Sequence, residues 1–247
     1  MRYTKITDDA FQTIQLNAGV LATDFTPASG SLTDSNIIGA TTGGVTFTAT
    51  PSFEDFGSDI DNCPKNTKEL KRLTEWEIKC SGTFVTISPE LAVMLAAAAG
   101  KTDGTVSYTL TSDTEIVSGK TYYTRTGSGT EQSPYIYTAV TSPSSSSLSS
   151  YYEVSDVGPA KITPRNDLLS GDFDDLWWIG DYSDKNGSTN GGFVAVHMMN
   201  ALSTGGFQIK TGDKAKGNFS FEFTAHYSIN SQDTVPFEVY VRSGRSE

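Results

Sequence analysis

Hydrophobic and polar residues alternate one by one along several stretches of this chain, the periodicity of a half-buried β-strand. Across residues 44–50, Val45, Phe47 and Ala49 fall on one face and Thr46, Thr48 and Thr50 on the other. Residues 75–87 repeat the pattern, with Trp76, Ile78, Cys80 and Phe84 opposed to Glu77, Lys79, Ser81 and Thr83. Near the end, Phe219, Phe221, Phe223, Ala225 and Tyr227 share one face, and Asn218, Ser220, Glu222, Thr224 and His226 the other. Val235, Phe237, Val239 and Val241 predict a final strand, and shorter strand signals lie at 161–163, 176–179, 192–197 and 207–210. The clearest helix follows Ser88, a good N-cap, with Pro89 at the first position and Glu90 at the positive end. Leu91, Met94, Leu95 and Ala98 make its buried stripe, and Gly100 is expected to close its last turn.

Between the first two strands, residues 51–74 read as a polar connection of about two dozen residues, much longer than a hairpin normally uses. Its charges are sorted: Glu54, Asp55, Asp59 and Asp61 come first, then Lys65, Lys68, Lys71 and Arg72, interrupted only by Glu69. Two readings stand. One is a solvated loop; the other is a pair of opposite patches through which copies of the chain dock head to tail. In either reading the segment is expected to be mobile until neighbours order it.

Residues 104–157 change character. They hold Tyr108, Tyr122, Tyr123, Tyr135, Tyr137, Tyr151 and Tyr152 but no Phe or Trp, and are broken by Gly127-Ser128-Gly129 and a serine run at 142–147. This predicts a small inserted β domain, leaving 1–103 and 158–247 as one discontinuous main domain.

At 247 residues and 36% hydrophobic content the chain can bury a sizeable core. Its longest apolar run, 91–99, is too short to span a bilayer, and its polar start offers no signal peptide, so a soluble protein that is not exported by a leader is expected. The net charge of −11 argues against binding nucleic acid by neutralising phosphates, though not against a surface past which DNA slides. Cys63 and Cys80 lack zinc-site spacing and are expected as free thiols.

Catalytic chemistry is hard to find. His197 and His226 sit in no motif, and the glycine pairs at 43–44, 191–192 and 205–206 precede strands instead of opening a helix. Asp172, Asp174, Asp175, Asp181 and Asp184 do not have the spacing of a calcium loop. The expectation is no enzyme, no metal and no cofactor. Trp177 and Trp178 are more informative, because neighbours on a strand point to opposite faces. Both faces of that strand therefore need a cover, either a layer of the same chain or a partner subunit, and the second is the expectation.

Several stretches resemble the major tail, or tail tube, proteins of long-tailed bacteriophages and related prophages. They are Gly43-Gly44-Val45-Thr46-Phe47-Thr48-Ala49-Thr50-Pro51, Asp61-Asn62-Cys63-Pro64-Lys65-Asn66-Thr67-Lys68-Glu69-Leu70, Ile162-Thr163-Pro164-Arg165-Asn166-Asp167 and Leu176-Trp177-Trp178-Ile179-Gly180-Asp181-Tyr182. The resemblance implies a mainly β, tail-tube-type sandwich or barrel with one flanking helix, six copies of which close into a ring around a channel. It implies that rings stack through the charged segment and that Trp177 and Trp178 serve a subunit interface. The implied partners are further copies, a tape measure inside the tube, a tail terminator and a distal tail protein. DNA passes without specific binding and no membrane is involved; the implied location is the virion, with assembly in the host cytoplasm. An acidic wall suits such a channel, since like charge repels the DNA backbone. The insert resembles small Tyr-rich modules of other phage structural proteins, through Ser118-Gly119-Lys120-Thr121-Tyr122-Tyr123-Thr124 and Ser149-Ser150-Tyr151-Tyr152-Glu153-Val154. It is either a tolerated decoration or a weak adhesive for glycans. Competing readings are another phage part, such as a contractile-tail tube or capsid decoration, a carbohydrate-binding adhesin, and a hydrolase using the acidic cluster.

Overall fold

A computed structural model describes residues 18–181 and 192–242, and the chain in it is mainly antiparallel β. In chain order the elements are β1 (Val20–Ala22), β2 (Thr41–Asp55), β3 (Lys71–Phe84), α1 (Pro89–Leu95), β4 (Ala99–Thr102), β5 (Val106–Leu110), β6 (Tyr123–Thr126) and β7 (Ile136–Ala139). They continue with β8 (Tyr152–Val157), β9 (Lys161–Pro164), β10 (Asp174–Asp181), β11 (Phe193–Ser203), β12 (Gln208–Lys210), β13 (Asn218–Ala225) and β14 (Phe237–Arg242). Two compact units result, one built from the described residues up to Gly100 and from Ile162 onward, the other from Lys101–Lys161.

The larger unit is one eight-stranded sheet in the order β1-β10-β11-β13-β3-β2, with β12 also on β13 and β14 also on β11. β11 has three partners: β10 along one edge, then β14 beside residues 193–198 and β13 beside 201–203 on the other. The alternation read in the sequence sets which face is inside. On β13, Phe219, Phe221, Phe223 and Ala225 are all buried, and on β3 so are Ile78, Cys80 and Phe84. With Leu21, Leu176 and Met198 they form the main core, against which Val45, Phe47 and Trp76 pack. Burial of such side chains is the main force holding the sheet together, at roughly 1.5–3 kcal/mol each.

α1 starts as predicted, with the Ser88 hydroxyl accepting from the Leu91 amide at 3.1 Å, but it ends early. Leu91 and Leu95 are its buried residues. Gly100 does not close it: the chain leaves the helix at Ala96, Ala97 takes a left-handed conformation (φ 61°), and Ala99 and Gly100 enter β4, which pairs with β9. The pull of that strand pairing outweighs the helical propensity of a run of alanines.

The smaller unit is a four-stranded sheet in the order β5-β8-β6-β7. Tyr122, Leu148 and Tyr151 are buried as its core, with Ile116 and Val140 against them. Lys120 bridges the carboxylates of Asp113, at 2.7 Å, and Glu153; Tyr122 donates its hydroxyl proton to the same Asp113 at 2.7 Å. Near its two ends the strands meet on glycine, since a Cβ on Gly104 would lie 1.8 Å from the Gly158 carbonyl oxygen.

Candidate assembly surfaces

The segment at 51–74 is shorter as a loop than its polarity predicts. β2 runs on to Asp55 and β3 begins at Lys71, with Glu54 opposite Arg72 and Asp55 opposite Lys71. The sorted charges have a simple cause: acids on the outgoing strand and bases on the returning strand become cross-strand pairs in an antiparallel hairpin. Two separate patches are therefore not formed by these four residues. Asp59, Asp61, Lys65 and Lys68 remain exposed at the tip, with Lys68 beside Glu69 at 3.5 Å.

The tip has internal structure. One Asp55 oxygen accepts from the Gly57 amide at 2.9 Å and the other from the Asn66 amide at 2.8 Å, and these bonds hold its carboxyl below the ordinary value. The Leu70 carbonyl accepts from the Phe56 amide at 3.0 Å, and Asn62 and Asn66 supply left-handed turns. Paired strands and bonded turns thus make up much of what the sequence presents as a connection. Its apolar side chains are about half exposed: Phe53 is 54% exposed, Leu73 opposite it 41%, Phe56 49% and Ile60 51%. Lys71 reaches over the Phe53 ring at 4.9 Å.

Among the described residues, β2 and β14 are long strands of the larger sheet with a single partner each. β2 pairs only with β3 along its 15 residues, and β14 pairs only with β11. The final strand also turns out its valines: Phe237 packs on Trp76 and Phe47, but Val239 and Val241 are 52% and 63% exposed. Tyr240 and Glu238 point to the opposite face, where the Tyr240 hydroxyl donates to Glu238.

Trp177 and Trp178 do face opposite sides of β10, but the chain itself covers them. Phe25 stands edge-on to Trp177 at 5.6 Å, His197 stacks on it at 4.0 Å and Tyr240 lies at 5.7 Å, leaving it 7% exposed. Trp178 packs against the main core and donates its indole N–H to the Ala18 carbonyl at 3.1 Å. The expectation of a partner subunit over this strand is corrected for Trp177, because the turn carrying Phe25 lies on that side. Arg242 fastens this turn by donating to the carbonyls of Pro27 and Ala28 at 3.1 and 2.5 Å.

Among the described members of the acidic cluster, Asp172 and Asp175 have partners of their own. Asp172 takes both carboxylate contacts from Arg165, at 2.5 and 2.6 Å, and accepts from the Leu169 amide; these lower its pKa, the amide bond most. Asp175 accepts from the Asn200 amide and meets His197 at 3.2 Å. Burial pushes Asp174 up, helped by Asp172 and Asp175. Asp184, Tyr182 and Gly191 lie outside the described residues. His226 contacts the Asn200 carbonyl at 3.2 Å and the edge of Phe173. Cys63 and Cys80 are free thiols. A recess of about 400 Å³ lies beside Phe25, walled by Val20, Leu32, Ile179 and Phe193, and no titratable side chain among the described residues lines it. No helix among the described residues is long and apolar enough to cross a membrane.

Sequence reasoning missed a surface in the smaller unit. Register places Tyr108, Tyr123, Arg125, Tyr137 and Tyr152 on one face of its sheet. Tyr108 stacks on Tyr137 at 3.9 Å, and Arg125 lies over Tyr135 at 4.2 Å and Tyr152 at 4.7 Å. The spacing of tyrosines at 135, 137 and 152 signals such a face once the strands are known; the bulge between Ser107 and Tyr108 hides it from simple alternation. Comparison of the chain with protein-family models and with curated proteins finds no match.

Proposed function

We propose that this chain is a structural, self-assembling subunit, the tube protein of a long-tailed bacteriophage. In this reading six copies close into a ring, and rings stack into a tube through which DNA passes. The observation that carries it is the β2–β3 arm, a hairpin whose Phe53–Leu73 pair, Phe56 and Ile60 stay about half exposed among the described residues. Soluble chains rarely leave such groups bare unless a partner takes them. The open edges of β2 and β14 add to it, because long unpaired edges aggregate unless another strand completes them. A ring that extends the sheet from copy to copy, as a tail-tube-type sandwich would, removes both edges. The arm then reaches the next ring, with Asp59, Asp61, Lys65 and Lys68 at its tip setting register. The proposed partners are copies of the chain and the other tail proteins, with no catalysis and no cofactor.

The test is electron microscopy of the purified chain over a concentration series, with light scattering after size exclusion. Rings or hollow tubes are expected, and Leu73→Glu should block stacking. A chain that stays monomeric at every concentration, and also when a tail terminator and distal tail protein are added, overturns the proposal.

A further inference from the structure

We propose that the tyrosine face of the smaller unit is a binding site for a carboxylate-bearing polysaccharide, with Arg125 as its anion anchor. Residues 104–157 contain two cations, Lys120 and Arg125. Lys120 is neutralised from two sides, by Asp113 and Glu153. Arg125 is not: among the described residues its guanidinium meets no carboxylate and lies over the rings of Tyr135 and Tyr152 instead. Arg125 is exposed, so its guanidinium is free to take an anion from outside, the acids of the same stretch, Asp113, Glu115, Glu131, Glu153 and Asp156, notwithstanding. A guanidinium whose face is taken by aromatic rings still offers its edge, the geometry that grips a carboxylate with two parallel N–H bonds.

The surroundings suit a sugar. Tyr135 is 46% exposed, and Leu110 and Val154, on the same face, are 55% and 39% exposed. Aromatic rings take the apolar C–H face of a pyranose, and tyrosine hydroxyls meet its edges. The site is held ready by the β6–β7 turn. Gly129 has a φ of +77°, and a Cβ there would lie 2.6 Å from the Tyr135 ring, so the turn backbone seats the ring directly. In Gly127 the same turn closes against the Pro134 carbonyl. Side chains locked in this way lose little freedom on binding.

The experiment uses the full chain on beads carrying polygalacturonate and on beads carrying neutral dextran, with the bound fraction measured. Binding to the acidic polymer and not to dextran is expected. Arg125→Gln should lower it at least about tenfold, whereas Lys210→Gln, which makes the same change in net charge on the exposed strand β12, leaves it unchanged. Near-ultraviolet circular dichroism of the tyrosines checks that Arg125→Gln keeps its fold, and Tyr135→Ala is a second variant expected to lose binding. Equal binding to both polymers, no binding to either, or the same binding by the Arg125→Gln and Lys210→Gln variants overturns the proposal.

Discussion

Cys80 lies inside β3 with 1% of its surface exposed, and burial pushes its thiol up to about 12. Cys63 is half-buried in the arm, its sulfur 3.6 Å from the Thr67 hydroxyl. A thiolate is the reactive form, so alkylation of the native chain at pH 8 should label Cys63 alone, and both only after denaturation. Mass spectrometry of the two peptides decides this. Because the folded thiol holds its proton more tightly, its contribution to stability is complete below the ordinary value of 9.0 and is lost as pH rises above it. Asp113 behaves oppositely. The hydrogen bond from Lys120, then that from Tyr122, lowers its pKa, so its stabilising effect is present above the ordinary 3.8 and is lost as pH falls below that. Asp113→Asn should thus weaken the smaller unit at pH 7 and flatten its acid unfolding, followed by tyrosine fluorescence.

Among the elements, α1 offers the simplest measurement. Ser88→Ala removes the bond to the Leu91 amide and should cost about 1 kcal/mol in urea unfolding. Ile78→Ala on β3, a fully buried side chain, should cost about 2–5 kcal/mol. These elements were legible in the sequence because one local rule governs each: a hydroxyl before a proline, or alternation on one face. The arm was legible only in part. Its charge order was visible, but the pairing of Glu54 with Arg72 depends on where the strand ends, and a polar strand exposed on both faces has no alternation to mark it. Trp177 was read correctly as needing cover. What covers it, Phe25, lies far away in sequence, and no local pattern points to it. The valines of β14 mark a strand in the sequence but not which face it buries, and its pairing with β11 turns Tyr240 toward Trp177.

At the scale of the molecule, the two units have separate cores, and near both ends of the smaller one the backbones of Gly104 and Gly158 touch. Replacing 105–157 by a short glycine linker should therefore leave the larger unit folded and, in the proposed role, still able to form tubes. Circular dichroism and electron microscopy of the shortened chain test both parts. The same layout constrains synthesis. β3 finds its central partner only when Phe84 can meet Phe219, so the ribosome must make the whole smaller unit and β10 and β11 first. At about 5–20 residues per second that wait is on the order of ten seconds. Throughout it the nascent β2–β3 hairpin carries Phe47, Trp76, Ile78 and Phe84 with no sheet to receive them. The smaller unit, whose strands pair only with one another, has everything it needs to fold during the same interval. Translation order thus makes the hairpin the natural client for a chaperone, and a slowly translated insert would lengthen its exposure.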